Sequence, residues 1–262
     1  MNLIDNWISI IEDALFRNLV NLTVLKLQKN NLDIIPKKAL SPLINLVELD
    51  LSGNSISVIS AFAFQSLPSL VILNLGRNKL KEIDEEGFLG LNNLEDMYLE
   101  DNDLNKVPTD VMYEVINLKN IILGQNPLKE ILKNALSGNM NLNLLNISQR
   151  QQMTEIKAGA FKSNQRLRTV VISDNPDLEH IDSEAFDKEL KVESLDFRRN
   201  RLSSLSEHLL DWSYVKFLQL SENLWHCDCD MKWLQQTTFN IVNNSQKKCQ
   251  NYSMLFSQPS LG

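Results

Sequence analysis

A leucine-type residue opens a unit at Leu22, Leu46, Leu70, Leu94, Leu118, Leu142, Leu167, Val192 and Val215, at spacings of 24 five times and then 25, 25 and 23. Self-similarity at a fixed period constrains a chain more than any local propensity does. Counting the opening residue as place one, places four and six are apolar throughout: Leu25/Leu27, Leu49/Leu51, Leu73/Leu75, Met97/Leu99, Ile121/Leu123, Leu145/Ile147, Val170/Ile172, Leu195/Phe197 and Leu218/Leu220. Place nine is asparagine in eight of the nine units: Asn30, Asn54, Asn78, Asn102, Asn126, Asn175, Asn200 and Asn223. Further apolar pairs follow at Leu32/Ile35, Ile56/Ile59, Leu80/Ile83 and Leu104/Val107, and an aromatic returns near place nineteen at Phe64, Phe88, Phe161 and Phe186. The repeat accounts for a composition with 44 Leu and 30 Asn but only 8 Gly and 7 Pro.

Alternation at places four and six predicts a short strand with one buried face. A lone unit cannot bury its leucines, so copies must stack, pairing as parallel strands about 4.8 Å apart. The asparagine follows the strand, where backbone groups lose their ladder partners, and a carboxamide can both donate and accept there. The run L-x-x-L-x-L-x-x-N-x-L resembles the leucine-rich repeat family over nearly the whole chain to about Asn223. The class expected is α/β: a solenoid with a curved parallel sheet on its concave face and short helical, 3-10 or irregular segments on its convex side. The pattern departs from itself at Gln149-Arg150-Gln151-Gln152 and Asn175-Pro176-Asp177, where insertions should loosen the convex side.

Three segments follow from this register: 1–21 as a truncated first repeat, 22–223 as about nine repeats, and 224–262 as an incomplete cysteine-rich cap. Leu3, Asn6, Ile8, Ile11, Phe16 and Leu19 fall on places six, nine, eleven, fourteen, nineteen and twenty-two of a unit begun before Met1. Such a start leaves a strand edge open, so a further N-terminal segment is expected. At the other end, Asn223-Leu224-Trp225-His226-Cys227-Asp228-Cys229-Asp230-Met231-Lys232-Trp233-Leu234 resembles the C-terminal flanking cap of extracellular leucine-rich repeat proteins, N-P-W-x-C-x-C-x-L-x-W-L. Leu224 stands where that pattern has Pro, Met231 where it has Leu, and the fourth cysteine is absent. The resemblance implies a disulfide between Cys227 and Cys249, with Cys229 awaiting a partner beyond Gly262, and Trp225 and Trp233 laid over the end of the leucine stack. It also implies an extracellular or cell-surface location. A zinc site from His226, Cys227, Cys229 and Cys249 is disfavoured because His226 and Cys227 are adjacent. The cap and repeat length are similar to those of Toll-type receptors, neuronal adhesion proteins and small secreted proteoglycans alike.

The sequence contains no glycine-rich phosphate loop, no G-x-S-x-G, no H-E-x-x-H and no calcium loop. His180, His208 and His226 sit in different units. An enzyme is not expected, and neither a cofactor nor a metal is called for. A net charge of −7 spread along the chain argues against nucleic acid as a partner. No apolar run approaches the length of a membrane span. Glu100-Asp101-Asn102-Asp103 reads as a solvated turn and Arg198-Arg199-Asn200-Arg201 as a solvated edge. Sequons at Asn21, Asn146, Asn243 and Asn251 are no more numerous than 30 asparagines produce by accident, and a glycan on Asn146 would block part of the strand face.

Places three and five of each strand point away from the core and form two rows on the concave wall. They carry Glu48, Asp50 and Asp96, with Glu95, Glu100 and Asp101 beside them, next to apolar Ile72, Tyr98, Ile122, Leu144 and Val171. Apolar side chains on a solvated strand face mark an interface. The expected function is therefore non-catalytic protein recognition by the ectodomain of a cell-surface receptor or adhesion protein. The alternatives are a secreted scaffold or carrier subunit and a cytosolic adaptor. A second copy of the chain is admitted as a partner.

Overall fold

The computed structural model describes residues 1–149, 152–226 and 233–234. Nine three-residue strands form its main sheet: β1 (Val24–Lys26), β2 (Glu48–Asp50), β4 (Ile72–Asn74), β6 (Asp96–Tyr98), β7 (Asn120–Ile122), β9 (Leu144–Asn146), β11 (Thr169–Val171), β13 (Ser194–Asp196) and β14 (Phe217–Gln219). All neighbours are parallel and follow chain order. The register aligns place with place, so Leu25 lies opposite Leu49, Leu49 opposite Leu73, and Val170 opposite Leu195. Backbone bonds extend the sheet one step further at its N-terminal edge, where the Leu3 amide donates to the Lys26 carbonyl at 2.8 Å.

In the strands from β1 to β13 the central residue is buried and its two neighbours are half-buried, facing the open side. The other side is closed by the rest of each unit. Place nineteen supplies a buried spine through Phe16, Leu40, Phe64, Phe88, Met112, Leu136, Phe161 and Phe186. Phe64 and Phe88 stack with centroids 6.4 Å apart, and Phe161 meets Phe186 at 5.1 Å. Burying this much aliphatic and aromatic surface at about 25 cal/mol per Å² is the main force holding the stack together.

The convex side contains a four-residue helix, α1 (Lys37–Leu40), and 3-10 turns at Val111–Glu114 and Trp212–Tyr214. It also contains strands that the periodicity does not predict. β3 (Val58–Ile59) pairs with β5 (Glu82–Ile83), and β10 (Glu155–Ile156) lies between β8 (Glu130–Ile131) and β12 (His180–Ile181). These lie along the descending flank, where the chain turns back from the main sheet.

The asparagine column is built as the sequence implies. Asn54 Nδ2 donates to the carbonyls of Leu27 at 3.0 Å and Leu51 at 2.9 Å, while its Oδ1 accepts from the Leu32 amide. Asn102, Asn126 and Asn223 repeat the arrangement one or more units on. Place eight, just before place nine, is left-handed in every unit: Lys29, Gly53, Arg77, Asp101, Gln125, Gln149, Asp174, Arg199 and Glu222 have φ between +54° and +71°. Eight of these nine residues carry a side chain, so the turn is imposed against local preference. Cross-unit bonds offset it: the amide of Lys29 donates to Ser52 O, that of Arg77 to Glu100 O and that of Asp174 to Arg198 O.

Toward the C-terminal end, Trp225 is buried and its Nε1 donates to Leu220 O at 2.8 Å. Trp233 packs against Trp212 with centroids 4.5 Å apart, and its Nε1 donates to Leu205 O at 3.1 Å. Both tryptophans therefore lie against the last turns of the stack. Cys227, Cys229 and Cys249 lie outside the described residues, as do the sequons at Asn243 and Asn251.

Candidate functional site

The open face of the main sheet inherits its order from the strand register. Row three runs Val24, Glu48, Ile72, Asp96, Asn120, Leu144, Thr169, Ser194, Phe217; row five runs Lys26, Asp50, Asn74, Tyr98, Ile122, Asn146, Val171, Asp196, Gln219. Tyr98 and Ile122 are direct partners across β6 and β7. Ile72, Leu144 and Val171 stand diagonally to that pair or to one another on adjacent strands, within the 7–8 Å or so over which long side chains meet. The five make an unbroken apolar zigzag over five strands, about 19 Å along the sheet. Each is half-buried, with one flank against its neighbours and the other open.

The acidic residues divide into two kinds. Glu48 pairs with Lys26 at 3.4 Å, and Glu95 lies at the lateral edge, paired with Lys119 at 2.7 Å. Asp50 accepts from the Ser52 amide and hydroxyl at 2.9 and 2.6 Å, an Asx turn that caps its strand, and Asp96 accepts from the Asn120 side chain. Glu100 is the exception. Its carboxylate lies over Gly76, where a Cβ would come within 2.5 Å of Oε1, and its Oε2 is enclosed without a partner. Burial raises its pKa above the usual carboxylate value; Asp101 and Asp50 add to this, and Arg77 opposes it. Burial also raises the Tyr98 pKa, helped by Asp96 and Glu100, so the phenol stays protonated beside the apolar strip.

At the other end of the face the arginine run is engaged. Arg198 pairs with Asp196 at 3.1 Å, Arg199 with Asp174 and Glu222, and Arg201 with Glu179 at 3.0 Å. The Arg199 bond holds the Asp174 carboxyl below its ordinary range. Exposed ion pairs contribute little to stability, but these occupy the cations that a free anion would need. Of the sequons, Asn21 is exposed, whereas Asn146 ends β9 half-buried with its Oδ1 enclosed. Among the described residues no cluster of three or more His, Cys, Asp or Glu could hold a metal ion, and no helix is long and apolar enough to cross a membrane.

Sequence reasoning missed a second buried asparagine column. Asn139 Nδ2 donates to Met112 O at 3.0 Å and Val115 O at 2.9 Å; Asn164 Nδ2 donates to Leu136 O and Asn139 O, both at 2.9 Å. Both occupy place twenty-two, a core leucine at Leu43, Leu67 and Leu91, and that polar-for-apolar exchange was the available signal.

The repeats are matched by two family profiles. The one described as "Leucine rich repeat" covers residues 1–56 and 44–104, and "BspA type Leucine rich repeat region (6 copies)" covers 81–216 and 129–245. The chain belongs to the leucine-rich repeat family. Similar individual proteins include the NT-3 growth factor receptor of Homo sapiens, 28% identical over 109 residues, and that of Gallus gallus, 29% identical over 109 residues. Each match takes in 38% of this leucine-rich repeat chain and 13% of the receptor's length.

Proposed function

We propose that this leucine-rich repeat chain is a non-catalytic protein-recognition module of an extracellular or cell-surface protein, whose open sheet face grips a protein partner through Tyr98, Ile122, Ile72, Leu144 and Val171. Glu48, Asp50 and Asp96 orient the approach. The observation that carries this is the apolar zigzag. A half-buried tyrosine and four aliphatic side chains stand side by side on a sheet face, each still partly exposed, and aromatic anchors in such strips dominate binding energy. Similarity to a growth factor receptor supports the receptor form, and the cap resemblance supports oxidised cysteines. A secreted scaffold or carrier with the same face is the second reading; whether the native protein partitions with membranes or with the soluble secreted fraction separates the two.

The test compares secreted proteins retained by the full chain with those retained by a Tyr98→Asp, Ile122→Asp double variant. Proteins held by the parent are expected to be lost from the variant while its thermal unfolding is unchanged. An identical retained set would overturn the site. Alkylation mass spectrometry tests the location: three free thiols in native material would exclude the oxidised cap.

A further inference from the structure

The descending flank carries a second apolar surface, distinct from the sheet face. Place thirteen is Ile10, Ile34 and Val58 in three consecutive units, 81%, 68% and 45% exposed. In the following units the same place is charged or polar: Glu82, Lys106, Glu130, Glu155 and His180. Four residues beyond Val58, Phe62 is 44% exposed and left-handed with φ +61°. For a bulky aromatic that backbone is an outlier. The Phe62 amide bonds to Glu86 O at 3.0 Å, which fixes the turn with its ring outward.

The stripe ends against charge. Val58 lies opposite Glu82 in register, and the same unit continues through Asp84, Glu85 and Glu86. All four carboxylates are exposed, and none belongs to an ion pair among the described residues. Asp84 and Glu85 even raise the pKa of Glu86, chiefly through its side-chain bond to Asp84. An apolar strip closed by unneutralised carboxylates complements a ligand that is apolar along one side and cationic at one end. Those carboxylates disfavour nucleic acid and anionic lipid at that end. Units repeat about every 4.8 Å along the stack, close to the 5.4 Å pitch of an α-helix, so successive turns of a helix laid along the stripe place one side chain beside each unit.

We propose that Ile34, Val58 and Phe62, bordered by Glu82, Glu85 and Glu86, form a docking surface for a basic amphipathic helix of a partner protein. The probe is a labelled synthetic peptide of about five helical turns, with leucines on one face and lysines on the other. Its binding to the full chain is followed by fluorescence anisotropy at low and high salt. Saturable binding is expected, weakened at least about tenfold by Val58→Asp and by Phe62→Gly, which also relieves the backbone. Charge reversal at Glu85→Lys with Glu86→Lys should weaken it and flatten its salt dependence. Tyr98→Asp with Ile122→Asp should leave it unchanged, which separates this surface from the sheet face. The proposal is overturned if the peptide does not bind, if Val58→Asp binds it at full strength, or if a scrambled peptide of equal charge binds equally well. Self-association of the chain in sedimentation, abolished by Val58→Asp, would overturn it in favour of a second copy as occupant.

Discussion

At the scale of single residues, the asparagine column works because the place-six carbonyls from Leu27 to Leu99 are each claimed twice. Leu75 O accepts from Asn78 at 3.0 Å and from Asn102 at 3.0 Å, and Leu99 O accepts from Asn102 and Asn126. In Asn102→Ala both carbonyls keep one partner, but the Leu80 amide, which donates to Asn102 Oδ1 at 2.9 Å, is left buried and unbonded. The expected loss is about 2 kcal/mol in denaturant unfolding, the cost of one orphaned donor and two weakened acceptors. Glu100 answers a different question. Its pKa is raised in the folded state, chiefly by burial, so folding favours the protonated form. The penalty for burying the carboxylate is absent below the ordinary value of 4.5 and sets in as pH rises through the folded-state pKa. Glu100→Gln should therefore be more stable than the parent at neutral pH, with the difference vanishing toward pH 4 and below. Thermal unfolding across that range checks it, and a constant difference at all pH values would refute the assignment.

At the scale of the element, the main strands and their facing rows were legible because period two and period 24 coincide on the same residues. Leu25, Leu49 and Leu73 could hardly be placed anywhere but the core. The flank strands were not legible: pairs such as Glu130–Ile131 and Glu155–Ile156 are too short to show alternation, and only their stacking makes them strands. The left-handed place eight was equally silent, because Lys29, Arg77 and Gln125 are not turn residues by type and take φ near +57° only through cross-unit bonds. Of the candidate site, the two rows and their apolar members were readable, but the enclosure of Glu100 over Gly76 was not, since it depends on a missing side chain one unit away. The second asparagine column differs energetically from the first. Asn139 Oδ1 is buried without a partner, and the carbonyls it bonds already have backbone donors: Met112 O from the Val115 amide at 3.3 Å and Val115 O from the Leu118 amide at 3.1 Å. Asn139→Leu restores the residue type of the earlier units and removes the orphaned oxygen. Its unfolding free energy should lie within about 1 kcal/mol of the parent, on either side, well short of the Asn102→Ala loss.

At the scale of the whole molecule, a solenoid's stability is a sum over neighbouring junctions, so its weakest junction decides how it comes apart. Through the first half, junction follows junction with the full asparagine arrangement, from Asn30 on Leu3 O to Asn126 on Leu99 O. It resumes where Asn200 bonds Ile172 O and Phe197 O and accepts from the Asn175 amide. Between these, Asn175 still donates to Ile147 O at 3.1 Å, but its buried Oδ1 accepts nothing. Among the described residues, Ser148 and Ser173 add hydroxyl contacts of 3.2–3.4 Å here, longer than most of the column's bonds to place-six carbonyls, which start at 2.7 Å. The strands themselves remain paired, Leu145 opposite Val170, so what the described residues lose at this junction is the acceptor bond of Asn175 and not the ladder. Hydrogen exchange at rising denaturant should therefore resolve two cooperative blocks, amides of 22–126 opening apart from those of 167–223. Leu73→Ala is expected to lower only the first block's opening free energy and Val170→Ala only the second's. If either substitution moves both blocks equally, the stack unfolds as one unit and the interrupted column carries no mechanical consequence.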